Sequence, residues 1–194
     1  RAARRRGGRV YALRLFTMEK STSCGVLVFD MAGQLLLCHA SDSRYWDIPK
    51  GAVEGQEEGA QTAAREAAEE CGFRLSPEQL RELGLFPYRK GKDLRLFAVL
   101  VRHFEAKNCV CSSFYIDRHG RRRPEMDGFR WAAFEQLPHF CAPSLVAVLT
   151  QALSLEGIHG HLLYEVGPVD VAPGSHDFRA VDLAQGRAQP AAQE

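Results

Sequence analysis

The chain has 194 residues, of which 45% are hydrophobic and 25% are charged, and its formal net charge is +1. This composition fits one globular domain with a substantial core. A net charge of +1 excludes a protein that binds nucleic acid through its overall charge. No apolar run approaches the roughly 20 residues of a membrane-spanning helix, so the sequence predicts a soluble protein with no membrane partner.

The first 20 residues are rich in arginine and contain no acidic residue before Glu19. The arginines of this segment are Arg1, Arg4, Arg5, Arg6, Arg9 and Arg14. Such a segment could bind RNA or act as a targeting arm. Because it has no serine before Ser21 and no long apolar stretch, and because Met18 is a credible start of the working protein, we expect residues 1–20 to form a disordered leader.

Two strands are predicted next, at residues 22–29 and 34–39, around a turn at residues 30–33. The following run, RYWDIPKG at residues 44–51, contains a proline and a glycine that favour a rigid turn. Lys50 could hold a phosphate as a point charge, or it could be a solvent-facing loop cation. Trp46 could cover a nucleobase or pack in the core, and the sequence favours neither role.

Residues 51–73 read GAVEGQEEGAQTAAREAAEECGF. Residues 58–71 favour a helix, and Gly72 is a natural C-terminal stop. Small residues recur on one arc of this helix, where they would let the helix lie close to a sheet. These small residues are Ala60, Ala63, Ala64, Ala67 and Cys71.

The other arc of the predicted helix is acidic. Glu66, Glu69 and Glu70 stand at i, i+3 and i+4, so their carboxylates share one face. Three like charges this close destabilise a helix unless a cation compensates them. Carboxylates suit Mg²⁺ or Mn²⁺ better than zinc, which predicts phosphate chemistry. A solvated acidic face is the alternative, but surface helices normally interleave lysine with glutamate.

The whole pattern of residues 51–73 resembles the complete signature of the Nudix hydrolase family. The resemblance implies an α/β/α sandwich with a mixed sheet, and an enzyme that uses Mg²⁺ (or Mn²⁺) to cleave a small-molecule nucleotide substrate. It implies that the three helix glutamates bind metal or act as the base, and Glu66 is our candidate for the base. Glu57 would support the site from the preceding loop, Arg65 would pair with a box glutamate, and the carbonyl of Lys50 would be a further metal ligand.

A hairpin is predicted after the box helix, with strands at residues 84–88 and 94–104 around the turn RKGKD, and SPEQL at residues 76–80 predicts a short helical turn. Tyr88, Arg89 and Lys92 resemble the adenine and phosphate contacts of the dinucleoside polyphosphate hydrolase branch. The W-x-x-P-K-G run before the box also resembles that branch. An exposed basic turn is the alternative for the three hairpin residues.

A second basic cluster precedes Glu125, which is followed six residues later by Trp131. The cluster, Arg118, Arg121, Arg122 and Arg123, could steer an anionic substrate to the site or be a solvated loop. The Glu125 to Trp131 run resembles the late part of Nudix domains, where a glutamate reaches the metals and a tryptophan opens the next strand, here at residues 129–134. Glu125 is therefore a metal-ligand candidate, with Asp127 as an alternative and a plain surface glutamate as the competing interpretation.

Six cysteines are scattered along the chain, and we expect them to be reduced and the protein to be cytoplasmic. They are Cys24, Cys38, Cys71, Cys109, Cys111 and Cys141. Cys109 and Cys111 with His103 or His119 fit no common zinc module.

The remaining sequence predicts one longer helix over residues 144–155, capped by Ser144, and a flexible tail at residues 166–194. The catalytic domain is thus expected to span residues 21–165. Its most favoured substrate is a dinucleoside polyphosphate. The alternatives are an RNA 5′ pyrophosphohydrolase, a nucleoside triphosphate pyrophosphatase, or a nucleotide-sensing module that does not catalyse. The sequence predicts no oligomeric state.

Overall fold

The structure is a computed structural model that describes residues 20–102 and 104–171. Most of the predicted leader, His103 and residues 172–194 of the predicted tail therefore lie outside the described residues. The strands are β1 (Ser21–Phe29), β2 (Leu35–Ala40), β3 (Trp46–Asp47), β4 (Lys50–Ala52), β5 (Arg81–Arg89), β6 (Lys92–Leu100), β7 (Phe114–Ile116), β8 (Arg122–Pro124) and β9 (Met126–Ala132). The α-helices are α1 (Gly59–Cys71), α2 (Leu137–Phe140), α3 (Pro143–Ala147) and α4 (Leu155–His161).

Seven of these strands form one mixed sheet in the order β3-β2-β1-β6-β5, with β4 beside β1 and β9 beside β2. Strands β1 and β6 are parallel, and Ser21 lies opposite Lys92 at one end of the pair. The other pairs of the sheet are antiparallel. The predicted hairpin is confirmed as β5 and β6, although β6 ends at Leu100 rather than at residue 104.

The sheet separates two hydrophobic cores. Val26 and Val28 of β1 face a core that contains the alanines of α1. Leu27 and Phe29, which point to the opposite face, join a core with α3 and α4. Because successive side chains of a strand alternate between faces, the single strand β1 supplies both cores. The predicted α/β/α sandwich with a mixed sheet is confirmed.

Helix α1 follows the prediction closely, beginning at Gly59 and ending at Cys71. Ala63 and Ala67 are completely buried against the sheet, as their small size predicts. Gly72 ends the helix with a φ of 79°, a conformation that glycine adopts without strain. Its N–H donates to the carbonyl of Ala68.

The C-terminal turn of α1 is also bonded to a distant loop. The N–H of Val110 donates to the carbonyl of Cys71 at 3.1 Å, and the N–H of Ser112 donates to the carbonyl of Glu69 at 2.7 Å. The hydroxyl of Ser112 donates to the same carbonyl at 3.2 Å. These bonds satisfy carbonyls that a helix end leaves without partners, so the acidic end of α1 is fixed from outside.

The prediction of one helix over residues 144–155 is wrong. Helix α3 begins at Pro143, with Ala142 rather than Ser144 at its N-cap, and continues as a π-helical turn, Val148–Ala152. Leu153 is extended, and α4 then starts with the Ser154 side chain accepting a bond from the N–H of Gly157. A proline at the first helical position needs no N–H partner, which explains the earlier start.

The late strand also differs from its prediction. Strand β9 starts at Met126 rather than at residue 129, so Trp131 lies near the end of the strand and does not open it. The indole N–H of Trp131 donates to the carbonyl of Phe104. Of the predicted tail, residues 166–171 are described, and Val169 there is bonded to Leu100 and Arg102 beside the end of β6. Within the described residues, no helix is long and apolar enough to cross a membrane.

Candidate active site

The candidate site lies where α1 crosses β4. Strand β4 pairs with β1 and places Gly51 opposite Cys24. The Glu66 side chain fills the space above this glycine, because a Cβ atom built on Gly51 would lie 1.9 Å from Glu66 Oε1. Glu66 is 8% exposed. The box glycine therefore leaves room for a buried carboxylate.

Arg65 ties the acidic residues together. Its Nε and Nη2 donate to the two carboxylate oxygens of Glu57 at 2.9 and 3.1 Å. Its Nη1 donates to Glu66 at 2.8 Å and to Glu69 at 3.1 Å, and Nη2 also reaches the carbonyl of Ala52. The bonds from Arg65 lower the pKa of Glu57 to about 2, so this carboxylate stays ionised. The predicted pairing of Arg65 with box glutamates is present in the structure.

Glu70 is the most deeply buried acid of the site, at 4% exposure. One of its oxygens accepts the backbone N–H of Lys50 at 3.0 Å. Burial raises its pKa to about 8, although the charge of Lys50 acts in the opposite direction. Burial also raises the pKa of Glu66, and the neighbouring Glu69 and Glu125 carboxylates add to that shift while Arg65 opposes it. The ionised forms of both acids are thus disfavoured in the metal-free protein, and a bound cation would stabilise them.

Lys50 is not the solvent-facing cation that the sequence left open. Its Nζ lies 2.7 Å from Asp47 Oδ2, and the two side chains are only 16% and 17% exposed. Burial alone would lower the pKa of Lys50, but the contact with Asp47 raises it overall. Sequence reasoning missed Asp47, although its place three residues before Lys50 in WDIPK was the available signal.

The acids of this site fit a hard divalent cation in their chemistry. Glu66, Glu69 and Glu70 come from one helix, and Glu125 is close enough to raise the pKa of Glu66. Buried carboxylates that repel one another are stabilised by a cation with oxygen ligands, which is the preference of Mg²⁺ and Mn²⁺. In the side-chain arrangement of residues 20–102 and 104–171, no three His, Cys, Asp or Glu side chains are grouped closely enough to hold a metal. In this arrangement the Arg65 guanidinium lies between Glu66 and Glu69, because its Nη1 donates to both carboxylates.

Glu125 lies at the edge of the site, directly before β9. It is exposed, and its backbone is bonded to Ser113 and Ser41. Asp127, the alternative ligand, is instead paired with His39, with 2.5 Å between Nδ1 and Oδ1. The position of Glu125 near Glu66 suits the predicted role better than that of Asp127.

Trp46 is half-buried at the edge of the second core. Its ring lies over Gly128, where an added Cβ would come within 3.3 Å of the indole. The guanidinium of Arg130 lies 5.2 Å from the Trp46 ring and 3.8 Å from the ring of Phe140. Trp46 therefore packs on one side and leaves part of its surface accessible, which accommodates both roles that the sequence left open.

The predicted substrate residues of the hairpin differ in their surroundings. Tyr88 is 7% exposed and belongs to the core, so its ring is not a free surface. Arg89 lies over that ring at 4.7 Å and donates to the tyrosine hydroxyl. Burial lowers the pKa of Lys92, and the charges of Lys50 and Arg89 lower it further. Lys50, Arg89 and Lys92 thus lie near one another.

All six cysteines are free, and five of them are buried. The sulfur atoms of Cys38 and Cys71 lie 3.1 Å apart inside the core below α1. Burial raises the pKa of both thiols, and also that of Cys109. These cysteines pack as small apolar side chains.

Comparison with known proteins gives three findings. Residues 19–151 match the model of the NUDIX domain family. A 17.7 kDa protein of Enterobacteria phage T4 is 36% identical over 141 residues, which cover 67% of this chain and 93% of the phage protein. An RNA pyrophosphohydrolase of Actinobacillus succinogenes is 26% identical over 122 residues, which cover 57% of this chain and 60% of that enzyme.

Among solved structures, this chain is similar to a C. elegans Ap4A hydrolase binary complex, with a TM-score of 0.49 and 18% sequence identity. The alignment covers 72% of this chain and 97% of the nematode protein.

Proposed function

The chain belongs to the Nudix family and is a hydrolase of nucleotide pyrophosphate bonds, and from this premise we propose that it cleaves a dinucleoside polyphosphate with the help of Mg²⁺ or Mn²⁺. The reaction would take place at the junction of α1 and β4. The observation that carries this proposal is the pair of buried carboxylates, Glu66 and Glu70, held beside Gly51 and the backbone of Lys50.

Glu66, Glu69, Glu70 and Glu125, with the carbonyl of Lys50, are the groups that would hold the metal. When bound, the metal supplies positive charge against the phosphate oxygens. Glu69 is the most adaptable of the helix acids, because its side chain is 45% exposed and only Arg65 is hydrogen-bonded to its carboxylate in the described part of the chain. Glu70 is oriented by the N–H of Lys50 and needs no rearrangement of the backbone.

Glu66 is our proposed general base, because Arg65 orients its carboxylate above Gly51, whereas Glu70 already accepts the backbone N–H of Lys50. Burial raises the pKa of Glu66, which makes its ionised form a stronger proton acceptor. It would take a proton from water as the water oxygen forms a bond to one phosphorus. The bridging P–O bond breaks, and the leaving nucleotide keeps the electron pair. Arg65 and Glu57 would hold Glu66 in place through the bonds described above, which is an orienting role.

Lys50, Arg89 and Lys92 would bind the phosphate chain, since their charges lie close enough to depress the pKa of Lys92. Trp46 offers a partly accessible aromatic surface for a base. Tyr88 would act by holding Arg89 rather than by direct stacking, because it is buried. The W-x-x-P-K-G run supports a dinucleoside polyphosphate over other nucleotides. The free thiols support a cytoplasmic location.

A 5′-triphosphorylated RNA is the second candidate substrate. The relatives from Actinobacillus succinogenes and Acidiphilium cryptum, at 26% and 23% identity, are both RNA pyrophosphohydrolases. A sensor that binds a nucleotide without cleaving it is less well supported, because all the box carboxylates are present.

The decisive experiment incubates the protein with Mg²⁺ or Mn²⁺ and a panel of dinucleoside polyphosphates, nucleoside triphosphates, nucleotide sugars and 5′-triphosphorylated RNA, with products identified by chromatography. We expect a dinucleoside polyphosphate to be cleaved fastest, and Glu70→Gln or Glu69→Gln to reduce kcat by about 100-fold or more. Glu54→Gln is the matched control, since Glu54 belongs to the same box but its side chain is 74% exposed. Faster turnover of RNA would reverse the order of the two substrates, and binding without product would support the sensor.

A further inference from the structure

A second feature of the molecule projects from the site and has no role in the chemistry above. Strands β7 and β8 form a separate two-stranded sheet, with Phe114 opposite Pro124 and Ile116 opposite Arg122. We call β7, β8 and the turn between them the arginine hairpin. Its turn is fixed by Asp117, whose carboxylate accepts the N–H groups of His119 and Arg121 and the side chain of Arg121. The turn is therefore held in one shape and presents its other side chains outward.

Both ends of the arginine hairpin are attached to the candidate active site. Before β7, Ser112 donates two bonds to the carbonyl of Glu69. After β8, the N–H of Glu125 donates to the carbonyl of Ser113 at 3.0 Å. Glu69 and Glu125 are two of the proposed metal ligands, so the hairpin begins and ends beside them. At about 3.3 Å per residue, its turn lies roughly 10 to 15 Å from Glu125.

The two faces of the hairpin have different surroundings. Tyr115 and Arg123 point toward the body of the protein, where the hydroxyl of Tyr115 donates to Asp42 at 2.5 Å. Phe114 and Ile116 point to solvent and are 42% and 66% exposed. The guanidinium of Arg122 lies 3.9 Å above the ring of Phe114 on the same face. The outer face of the hairpin therefore presents aromatic, aliphatic and guanidinium groups side by side.

The charges of the hairpin are only partly neutralised. Arg121 is paired with Asp117, and Arg123 lies 3.9 Å from Asp42. The Arg118 side chain donates to His119, and the Arg122 guanidinium lies over the ring of Phe114. Among the described residues, no carboxylate is therefore bonded to either of these two exposed arginines. A cavity of about 510 Å³, lined by Asp42 and by residues of the turn, opens at the same end.

We propose that the arginine hairpin binds single-stranded RNA whose 5′ end lies in the carboxylate site. Free guanidinium groups bind the phosphodiester backbone, and an exposed phenylalanine with a guanidinium plane offers stacking surfaces to unpaired bases. The position of the hairpin favours this ligand, because a chain that leaves the site past Glu125 runs along the hairpin toward Arg118. The placement of the 5′ end rests on the second candidate of the proposed function, a 5′-triphosphorylated RNA, but the binding of the RNA chain by the hairpin is independent of hydrolysis.

The test measures the affinity of the full chain for an 8-nucleotide RNA with a 5′-triphosphate and a 3′ fluorophore, by fluorescence anisotropy. Methylene groups replace the bridging oxygens of the triphosphate, so that Mg²⁺ can be present without cleavage and a failed hydrolase assay leaves the result interpretable. We expect Arg118→Ala combined with Arg122→Ala to raise Kd about tenfold or more. The slope of log K against log salt should fall in magnitude by about 1.4, which corresponds to two lost phosphate contacts. Arg81→Ala, which removes an exposed arginine from the opposite edge of the sheet, should change Kd less than about twofold.

Three outcomes would overturn the proposal. The double variant could bind RNA as tightly as the parent, which would place binding elsewhere, for example on the arginines of residues 1–14. The Arg81→Ala control could lose as much affinity as the double variant, which would indicate attraction to overall charge. Diadenosine tetraphosphate could compete with the RNA at equal concentration and lose affinity equally in the double variant, which would show that the hairpin binds a polyphosphate chain.

A measurement on the unaltered protein guards against a misfolded variant. Trypsin cleaves after exposed arginines, and the bonds after Arg118 and Arg122 lie in or beside the hairpin turn. We expect saturating RNA to slow cleavage at these two bonds and to leave cleavage after Arg81 unchanged. Unslowed cleavage in the hairpin at saturation would contradict the proposal.

Discussion

The burial of Glu70 predicts that this residue destabilises the metal-free protein at neutral pH. Its side chain is 4% exposed, and burial raises its pKa from 4.5 to about 8. A carboxyl group whose pKa is higher in the folded protein stabilises the folded state fully below its unfolded pKa, here 4.5. This stabilisation is lost as the pH rises from 4.5 to the folded pKa of about 8. At about 1.4 kcal/mol per pH unit, the loss reaches about 3 kcal/mol at pH 7. Glu70→Gln removes this loss, because the amide oxygen still accepts the N–H of Lys50 and carries no charge.

The assay is thermal unfolding in EDTA at several pH values. A gain of about 3 kcal/mol should raise the Tm of the Glu70→Gln variant by about 6 to 12 °C at pH 7, given about 2 to 4 °C per kcal/mol for a domain of this size. The gain should shrink to under about 1 kcal/mol at pH 5. Glu54→Gln should change Tm by under about 1 °C at each pH, because Glu54 is exposed.

Measuring Tm with added Mg²⁺ tests the same reasoning in the opposite direction. Because the ion would neutralise Glu70, adding it should raise the Tm of the parent more than that of the variant. A Glu70→Gln variant that melts at or below the parent in EDTA at pH 8 would refute the reasoning from burial.

Two further substitutions test the geometry of the site. Gly51→Ala places a Cβ 1.9 Å from Glu66 Oε1, so the Glu66 side chain must move. We expect kcat to fall by about 100-fold, while the free energy of unfolding measured by urea titration falls by under about 2 kcal/mol. An unchanged kcat would mean that the position of Glu66 is unimportant for catalysis. Arg65→Lys removes the paired hydrogen bonds to Glu57, which only a guanidinium can make. We expect kcat to fall about 10-fold to 100-fold with KM nearly constant. A change confined to KM would assign Arg65 to substrate binding instead.

The sequence predicted those parts of the fold whose signals are local. The box helix was placed within one residue because its formers run unbroken to Gly72, and the β5 and β6 hairpin was found from its apolar strands and glycine turn. Strands β3 and β4 are two and three residues long, which is too short to show an alternation of apolar and polar residues in the sequence. The single helix predicted over residues 144–155 was wrong because the chain is extended at Leu153 without a proline or glycine to mark the break.

In the candidate active site too, features with a local sequence signal were predicted and features that depend on tertiary contacts were not. The spacing of Glu66 and Glu70 indicated a shared face, and both are buried on the side of β4. The carboxylate of Glu69 is hydrogen-bonded to Arg65, so Arg65 and a metal ion would compete for it. That contact depends on side-chain rotamers, which the spacing of residues in the sequence does not encode. Tyr88 was expected at the substrate but is buried, because residue type alone does not tell which face of an edge strand a tyrosine occupies. The pairing of Lys50 with Asp47 shows that a motif lysine can be charged and still be held by its own loop.

The bonds from Val110 and Ser112 to the end of α1 join residues about forty positions apart in the chain. A helix end normally frays, and its amide hydrogens exchange with solvent through small local openings. Here the last turn can open only if the returning loop detaches with it, so slow exchange should extend to Glu70 and Cys71. The acids at that end would then keep their places for as long as the domain stays folded, and ligands would enter by the motion of other segments.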